Sequence, residues 1–307
     1  MTRRKFLNTS AKLSLAGLAS VSAFGGLSFA ATKGEKMQFT TLNNGVKMPM
    51  VGLGTAGLSG SGLSGKEGQK TMESAIKIGY RLIDTAQMYG NEADVGAAVA
   101  NSKVARAEFF ITTKLSSDMS YEETFKSFDE SLKKLRLDYL DLLLIHNNYP
   151  NAKQMYKAME KLYEEGRIKA IGISNFNAKA YEDFVKSCKV IPAVNQCQTH
   201  IFYQQQPLRK AMQKRGTVLE AWSPFVAGRN NFFKNETLMK IASKYNKTVA
   251  QITLRFLVEE GIVVIPKSSN EGRLRENYSI FDFNLDEADK KIIVAMDTNK
   301  SSFSWVD

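Results

Sequence analysis

The chain has 307 residues and a formal net charge of +11, with 43% of its residues hydrophobic and 24% charged. These proportions are ordinary for a folded soluble protein and exclude a low-complexity chain. The length suits a single α/β barrel of about 250 residues, and no apolar run after the N-terminal segment is long enough to span a bilayer.

The first thirty residues differ in composition from the rest of the chain. Arg3 and Arg4 precede a mildly apolar stretch, 13–29, which is rich in Ala, Gly and Ser and leads to small residues around Ala30. This order is typical of a twin-arginine signal peptide cleaved after Ala30. We therefore expect residues 1–30 to be removed, the twin-arginine machinery to be an export partner, and the mature protein to be periplasmic. A cytosolic amphipathic leader and a retained membrane anchor are the alternatives.

The positive charge belongs in part to this leader. Four of the 42 basic residues and none of the 31 acidic residues lie in 1–30, which leaves the mature chain with a net charge of +7. Its lysines and arginines are dispersed along helical patterns beside acidic residues. This dispersion favours a solvated surface over a nucleic-acid site, and we expect no nucleic-acid partner.

The chain contains two cysteines, Cys188 and Cys197, and two histidines. Cys197 lies in a predicted strand and Cys188 follows a predicted helix, which favours two free buried thiols. A disulfide in an oxidising compartment is the alternative. A structural zinc site is not expected from so few soft ligands.

After the leader, the dipeptide Asn44-Gly45 separates two short apolar segments, 37–42 and 46–49. Asn-Gly supplies the positive φ angles of a tight turn, so these segments are predicted to form a β-hairpin.

Beyond the hairpin, short apolar or β-branched runs alternate with amphipathic helical patterns. Parallel strands need such helical crossovers, and runs that are apolar throughout are typical of strands buried on both faces. Eight units predict one domain, residues 37–307, folded as a (β/α)8 TIM barrel with an N-terminal β-hairpin cap. The predicted strands are 50–54, 81–85, 109–113, 140–145, 170–173, 193–196, 217–221 and 262–266. The predicted helices are 68–78, 93–101, 121–135, 153–165, 179–187, 207–215, 236–260, 273–278 and 286–296.

Ionisable side chains follow three of these strands, at the end of a barrel where active sites lie. Tyr89 follows the second strand, Lys114 the third and His146 the fourth. A phenol is a weak acid near neutral pH, and a nearby ammonium lowers its pKa. We expect Lys114 to act on Tyr89 in this way, Asp84 to hold Lys114 in place, and His146 to orient a substrate carbonyl.

The segment 80–92 (YRLIDTAQMYGNE) resembles the signature of the aldo-keto reductase family around its catalytic aspartate and tyrosine, here Asp84 and Tyr89. Lys114 and His146 match the other two members of the family's tetrad. The resemblance extends from residue 38 to the C-terminus. It implies NADPH-dependent reduction of small aldehydes, ketones or dicarbonyls to alcohols, with hydride passing to the carbonyl carbon, Tyr89 protonating the oxygen and no metal required.

The same resemblance implies a cofactor site along the barrel mouth. Lys267, Ser268 and Arg273 offer two positive charges and a hydroxyl to an adenosine 2′-phosphate, which favours NADPH over NADH. Trp222 stands where many members place a tyrosine stacked on the nicotinamide. The remaining implied cofactor residues are Gly54 and Thr55 on the first loop, Ser174, Asn175 and Gln196 at the carboxamide, Ser223 and Phe225 after the seventh strand, and Glu276 and Asn277 beside Arg273.

Other functions are compatible with parts of this pattern. Residues 52–57 match the dinucleotide fingerprint G-x-G-x-x-G, but a Gly/Ser-rich segment follows instead of a helix, which argues against a Rossmann site. A catalytically silent nicotinamide-binding barrel with a regulatory role has no need of the four tetrad residues. An aldolase requires a Schiff-base lysine. We expect a monomeric enzyme that takes a small carbonyl substrate and has no stable membrane insertion.

Overall fold

The computed structural model describes residues 37–57 and 62–303. The expected signal peptide, 1–30, lies outside the described residues. None of the helices in the described part of the chain is long and apolar enough to cross a membrane.

The predicted hairpin is confirmed. Strands β1 (Phe39–Thr41) and β2 (Lys47–Pro49) pair antiparallel. Gly45 has a φ of 86°, and its backbone N–H donates to the Leu42 carbonyl at 2.9 Å. The Asn-Gly dipeptide therefore closes the turn as its backbone preferences predict.

The (β/α)8 barrel is also confirmed. Eight parallel strands follow the hairpin, each hydrogen-bonded to the next in chain order. The Val264 N–H donates to the Met50 carbonyl at 2.9 Å, and Val51 forms a parallel bridge with Val264, so the last strand meets the first. The strands are β3 (Gly52–Gly54), β4 (Leu82–Asp84), β5 (Phe110–Leu115), β6 (Leu140–Ile145), β7 (Ile168–Ser174), β8 (Val194–Gln198), β9 (Val218–Trp222) and β10 (Val263–Val264).

Ten α-helices are assigned in the described part of the chain, and most of them cover the outside of the barrel. Every residue of β5 and β6 is buried between this helical layer and the barrel interior, as expected for parallel strands. The helices are α1 (Gly65–Ile78), α2 (Glu92–Asn101), α3 (Tyr121–Leu135), α4 (Ala152–Glu164), α5 (Ala178–Val185), α6 (Gln206–Gln213), α7 (Glu236–Tyr245), α8 (Val249–Glu259), α9 (Glu271–Tyr278) and α10 (Glu287–Val294).

The prediction of one helix over 236–260 is wrong. Asn246 ends α7 in the left-handed conformation, with a φ of 52°, and Thr248 begins α8. The Thr248 hydroxyl accepts the Gln251 N–H while the Gln251 side chain accepts the Thr248 N–H, a capping box that starts a new helix. The apolar period continues across the break, which is why periodicity alone did not reveal it.

Cys188 and Cys197 are both free thiols, as the sequence favoured. Cys197 is buried on β8 and Cys188 is partly buried after α5. Burial raises the pKa of each thiol to about 12. Both therefore stay protonated at neutral pH and serve as small apolar side chains.

Candidate active site

A cleft of about 1410 Å³ opens at the carboxyl ends of the barrel strands. It extends from the end of β4 to the start of α9. Every predicted site residue lines it except Thr55 and Lys114. The predicted residues in its wall are Gly54, Asp84, Tyr89, His146, Ser174, Asn175, Gln196, Trp222, Ser223, Phe225, Lys267, Ser268, Arg273, Glu276 and Asn277.

Lys114 lies directly beneath the cleft and joins two of the predicted catalytic residues. It is 0% exposed, and its Nζ donates to Asp84 Oδ1 at 2.6 Å and to the Thr85 carbonyl at 2.9 Å. The same Nζ lies 3.4 Å from the Tyr89 hydroxyl. The structure therefore brings Asp84, Lys114 and Tyr89 together in the order expected from the sequence.

A short 3₁₀ turn, Gln87–Tyr89, holds Tyr89 over Lys114. The Gln87 side chain fixes this turn to the next crossover helix, since its Nε2 donates to the hydroxyls of Ser127 and Ser131. Its Oε1 accepts the Ser116 N–H at 3.1 Å. The amide of one glutamine thus fixes the turn to both α3 and the end of β5.

Burial raises the pKa of Tyr89 above its ordinary value, although Lys114 lowers it as expected. Tyr89 is half-buried, and loss of hydration around its hydroxyl raises the pKa more than Lys114 lowers it. Asp84 compensates much of the lysine charge and itself raises the phenol's pKa. Tyr89 is therefore protonated at neutral pH. The Lys114 ammonium lies where it would stabilise a phenolate at this position.

Lys114 carries its positive charge despite complete burial. Burial disfavours the ammonium, but Asp84 and Tyr89 together outweigh this effect and raise the pKa of Lys114. Burial also raises the pKa of Asp84, while the ammonium at 2.6 Å opposes the shift. A lysine held in a charged pair is a poor amine nucleophile, which argues against the aldolase alternative.

His146 stands on the other side of Tyr89, with ring centroids 5.6 Å apart. Burial and, to a lesser degree, Lys114 lower the pKa of His146 to about 3. Its Nδ1 lies 3.0 Å from the Ser116 hydroxyl. The imidazole is therefore neutral at physiological pH and suited to hydrogen-bonding a carbonyl oxygen without carrying charge.

Asn175 lines the cleft in a left-handed conformation with a φ of 62°. Its Nδ2 donates to the His146 carbonyl and to Asn147 Oδ1, each at 3.0 Å. Its Oδ1 accepts the Trp222 indole N–H at 2.9 Å, and the indole ring packs against Phe303 at 5.5 Å. Trp222 is thus held by an edge hydrogen bond and lines the cleft where a planar ring could stack on it.

The other two expected carboxamide residues lie deeper. The Ser174 hydroxyl donates to the Gln196 backbone carbonyl at 2.8 Å. The Gln196 amide nitrogen donates to Asp84 Oδ2 at 2.7 Å and to Glu220 Oε2 at 2.8 Å. Both amide hydrogens are therefore used inside the barrel, which leaves the Gln196 side-chain oxygen as the group to offer a ligand.

The far end of the cleft carries the basic residues predicted for a phosphate. Among the described residues, Lys267 and Arg273 form no ion pair, and Ser268 lies between them with its hydroxyl 3.4 Å from Arg273 Nε. Burial and the neighbouring Arg273 lower the pKa of Lys267. An anion at this position would relieve the repulsion, so these residues fit the 2′-phosphate of NADPH. Glu276 also lines the cleft, and its Oε1 accepts the Thr248 hydroxyl at 2.6 Å.

Gly54 and Thr55 support the first loop in different ways. A Cβ at Gly54 would lie 2.6 Å from the Ile265 carbonyl oxygen, so only glycine allows β3 to approach the segment after β10 this closely. Thr55 is 0% exposed and its hydroxyl donates to the Asp84 carbonyl, so its side chain lies beneath the cleft and not in its wall.

Several cleft residues were not predicted. Asn147 and Asn148 directly follow His146, so the strand-end rule that identified the histidine could have found them. Met88, 65% exposed, and Phe233, 47% exposed, form apolar parts of the rim. Phe303 comes from the C-terminal tail, where the sequence has no periodicity that would place it against Trp222.

The chain is similar to known proteins in both sequence and fold. The model of the Aldo/keto reductase family matches residues 50–298. Glyoxal reductase of Bacillus subtilis is 44% identical over 84% of this chain and 92% of that protein. Methylglyoxal reductase DkgA of Yersinia pestis is 38% identical over 84% of this chain and 92% of that protein. The crystal structure of an aldo-keto reductase complexed with NADPH superposes with a TM-score of 0.82 at 32% identity, covering 87% of this chain and 90% of that one.

Proposed function

The chain belongs to the aldo/keto reductase family and is an NADPH-dependent oxidoreductase, and from this premise we propose that it reduces small aldehydes, ketones and dicarbonyls to alcohols with Tyr89 as the general acid. The observation that carries this proposal is the contact between Lys114 and the Tyr89 hydroxyl at 3.4 Å. A buried ammonium at this position stabilises the phenolate that proton transfer leaves behind.

Each tetrad residue has a separate task in the proposed reaction. Bound NADPH supplies the hydride that reaches the carbonyl carbon. Tyr89 donates its proton to the carbonyl oxygen, and Lys114 stabilises the phenolate that results. Asp84 keeps Lys114 charged and in place through the 2.6 Å ion pair. Neutral His146 hydrogen-bonds the carbonyl oxygen and directs it towards the Tyr89 hydroxyl.

The cofactor residues fit the two ends of the nucleotide. Lys267, Ser268 and Arg273 would hold the 2′-phosphate, where two cations that form no salt bridge within the described residues lie close together. Ser174, Asn175 and Gln196 would hold the carboxamide, and Trp222 would pack on the nicotinamide ring.

The substrate end of the cleft favours small polar carbonyls. The amides of Asn147 and Asn148 lie beside His146, and Trp222 and Phe303 form an apolar wall. Amides beside the reacting carbonyl can hydrogen-bond a second oxygen on the substrate. Two relatives at 44% and 38% identity are named glyoxal reductase and methylglyoxal reductase, which supports dicarbonyls as the preferred class.

A carbonyl panel tests this proposal. We expect steady NADPH oxidation that depends on added carbonyl, with a higher kcat/KM for glyoxal and methylglyoxal than for propanal and acetone. NADH should support the reaction poorly, because its ribose lacks the 2′-phosphate. Tight NADPH binding without turnover of any carbonyl would contradict the proposed activity and favour the catalytically silent regulatory barrel.

We also propose that residues 1–30 direct twin-arginine export and that the mature enzyme is periplasmic. The support is the sequence of the leader alone. Because this route carries folded proteins, the cofactor can travel bound in the cleft. N-terminal sequencing should find Ala31 as the first residue of the periplasmic form, and an Arg3→Lys, Arg4→Lys variant should accumulate in the cytoplasm. A protein that stays in the cytoplasm at full length would contradict export by this leader. A periplasmic protein purified without nucleotide would contradict transport of the bound cofactor.

A further inference from the structure

A second carboxyl group lies beneath the tetrad and has no part in the reaction described above. Glu220 is on β9, opposite Gln196 of β8 in the sheet register, and it is 0% exposed. Its Oε2 accepts one hydrogen of the Gln196 amide at 2.8 Å, and Asp84 Oδ2 accepts the other at 2.7 Å. One neutral amide nitrogen therefore bridges the two carboxyl groups inside the barrel.

The hydrogen-bond donors at this site are arranged to stabilise one carboxylate, that of Asp84, and not a second one at Glu220. The Lys114 ammonium points its hydrogens at Asp84, the Thr85 carbonyl and Tyr89, and none at Glu220. Glu220 Oε1 is buried and has no hydrogen-bond partner within the described residues. Two carboxylates beside one cation would leave a net negative charge in a buried site, which is costly.

We propose that Glu220 is a positioning residue that holds a proton at neutral pH, and that loss of this proton slows carbonyl reduction by placing a second negative charge beneath Tyr89. Gln196 donates to both carboxyl groups and has no hydrogen to pass between them. The effect on Tyr89 is therefore electrostatic and involves no proton relay. This inference rests on the proposed role of Tyr89 as the acid.

The net effect of the groups around Glu220 favours its protonated form. Burial and, to a lesser degree, Asp84 on β4 raise the pKa of Glu220 to about 8, against smaller opposing effects of the Gln196 amide and of Lys114 on β5. The adjoining strand β10 presents the apolar Val263 opposite Glu220. An ionised Glu220 in turn raises the pKa of Tyr89, which makes the phenol a weaker acid.

The substitution Glu220→Gln tests the proposal, because it keeps an acceptor for Gln196 and cannot ionise. The measurement is kcat/KM for methylglyoxal at saturating NADPH, expressed as the ratio between about pH 7 and about pH 9.5 within each protein, so that differences in absolute rate do not matter. We expect kcat/KM of the parent enzyme to fall by roughly three- to tenfold between these two pH values, corresponding to a change of up to about one unit in the pKa of Tyr89. For Glu220→Gln we expect kcat/KM to fall by less than about twofold. Equal losses in both proteins would overturn the proposal.

Glu160→Gln is the matched control. Glu160 is a buried glutamate on α4 that accepts two backbone N–H groups, from Lys189 and Val190, away from the cleft. Its variant should show the parent ratio. A flattened profile in this control would show that removing any buried carboxyl has the effect, which would also overturn the proposal.

Infrared spectroscopy of the full chain, without substrate and without any substitution, measures the proton itself. The carbonyl stretch of a protonated carboxyl is separate from that of a carboxylate, and carbon-13 glutamate assigns it to glutamate rather than to Asp84. We expect such a signal at neutral pH, with a midpoint of loss near pH 8. A spectrum with no protonated glutamate at neutral pH refutes the role of Glu220 and leaves Tyr89 as the acid, so the two proposals fail separately.

Discussion

Replacing Lys114 with Met removes the ammonium that lies 3.4 Å from the Tyr89 hydroxyl. Two unit charges at 3.4 Å interact by about 5 kcal/mol at an effective dielectric constant of about 20. With roughly half of the phenolate charge developed in the transition state, the variant loses about 2.5 kcal/mol of stabilisation, or about a hundredfold in rate. Single-turnover loss of NADPH fluorescence on mixing with a carbonyl measures this rate without a contribution from product release.

The same substitution leaves Asp84 buried without its cation, which costs about 3–5 kcal/mol of folding free energy. A Lys114→Met, Asp84→Asn double variant removes both charges and should regain most of this stability in urea unfolding. Its rate should stay low, because the ammonium is still absent. A folded Lys114→Met protein that reduces carbonyls within about threefold of the parent rate would refute the electrostatic role of Lys114.

Three further predictions concern the cofactor, the pH dependence and the first loop. Arg273→Ala should raise the Kd for NADPH by roughly ten- to hundredfold, the worth of a charge-assisted hydrogen bond, and leave the Kd for NADH unchanged; equal weakening of both would contradict the phosphate site. Because burial lowers the pKa of His146 to about 3, kcat/KM should show no step near pH 6.5, about where an unperturbed histidine titrates. Since unfolded His146 binds a proton below that pH and folded His146 does not, the free energy of unfolding should fall as the pH drops; a titration of His146 near 6.5 by NMR would refute this. Gly54→Ala should destabilise the barrel by about 1–3 kcal/mol, because its Cβ would meet the Ile265 carbonyl at 2.6 Å, and an unchanged Tm would contradict that close approach.

The sequence was sufficient to predict the barrel strands, most of the helices and most of the cleft residues, and the reason is physical. Parallel strands end at one face of a barrel, so polar residues that follow separate apolar runs must converge there. Asp84, Lys114 and His146 could be placed by this rule although they are far apart in the chain. The turn at Gly45 was predictable because its dipeptide has a strong local backbone preference.

The electrostatic balance could not be read from the sequence. The net direction of the Tyr89 pKa depends on hydration of the phenol and on how closely Asp84 compensates Lys114, and both are properties of packing. Glu220 lies within the run of residues that forms β9, and this run does not show what its side chain contacts. The strand register places Glu220 opposite Gln196, whose amide donates to both Glu220 and Asp84. Phe303 has no local signal, since its place depends on where the C-terminal tail returns to the cleft.

The central claim is that Tyr89 delivers the proton to the carbonyl oxygen, and Tyr89→Phe tests it most directly. Tyr121→Phe, which removes a phenol on α3 outside the cleft, is the control. The single-turnover rate of carbonyl reduction should fall by about 10²- to 10⁴-fold in Tyr89→Phe, the usual contribution of a general acid, with the Kd for NADPH unchanged. A Tyr89→Phe protein that binds NADPH and reduces carbonyls at the parent rate would contradict it.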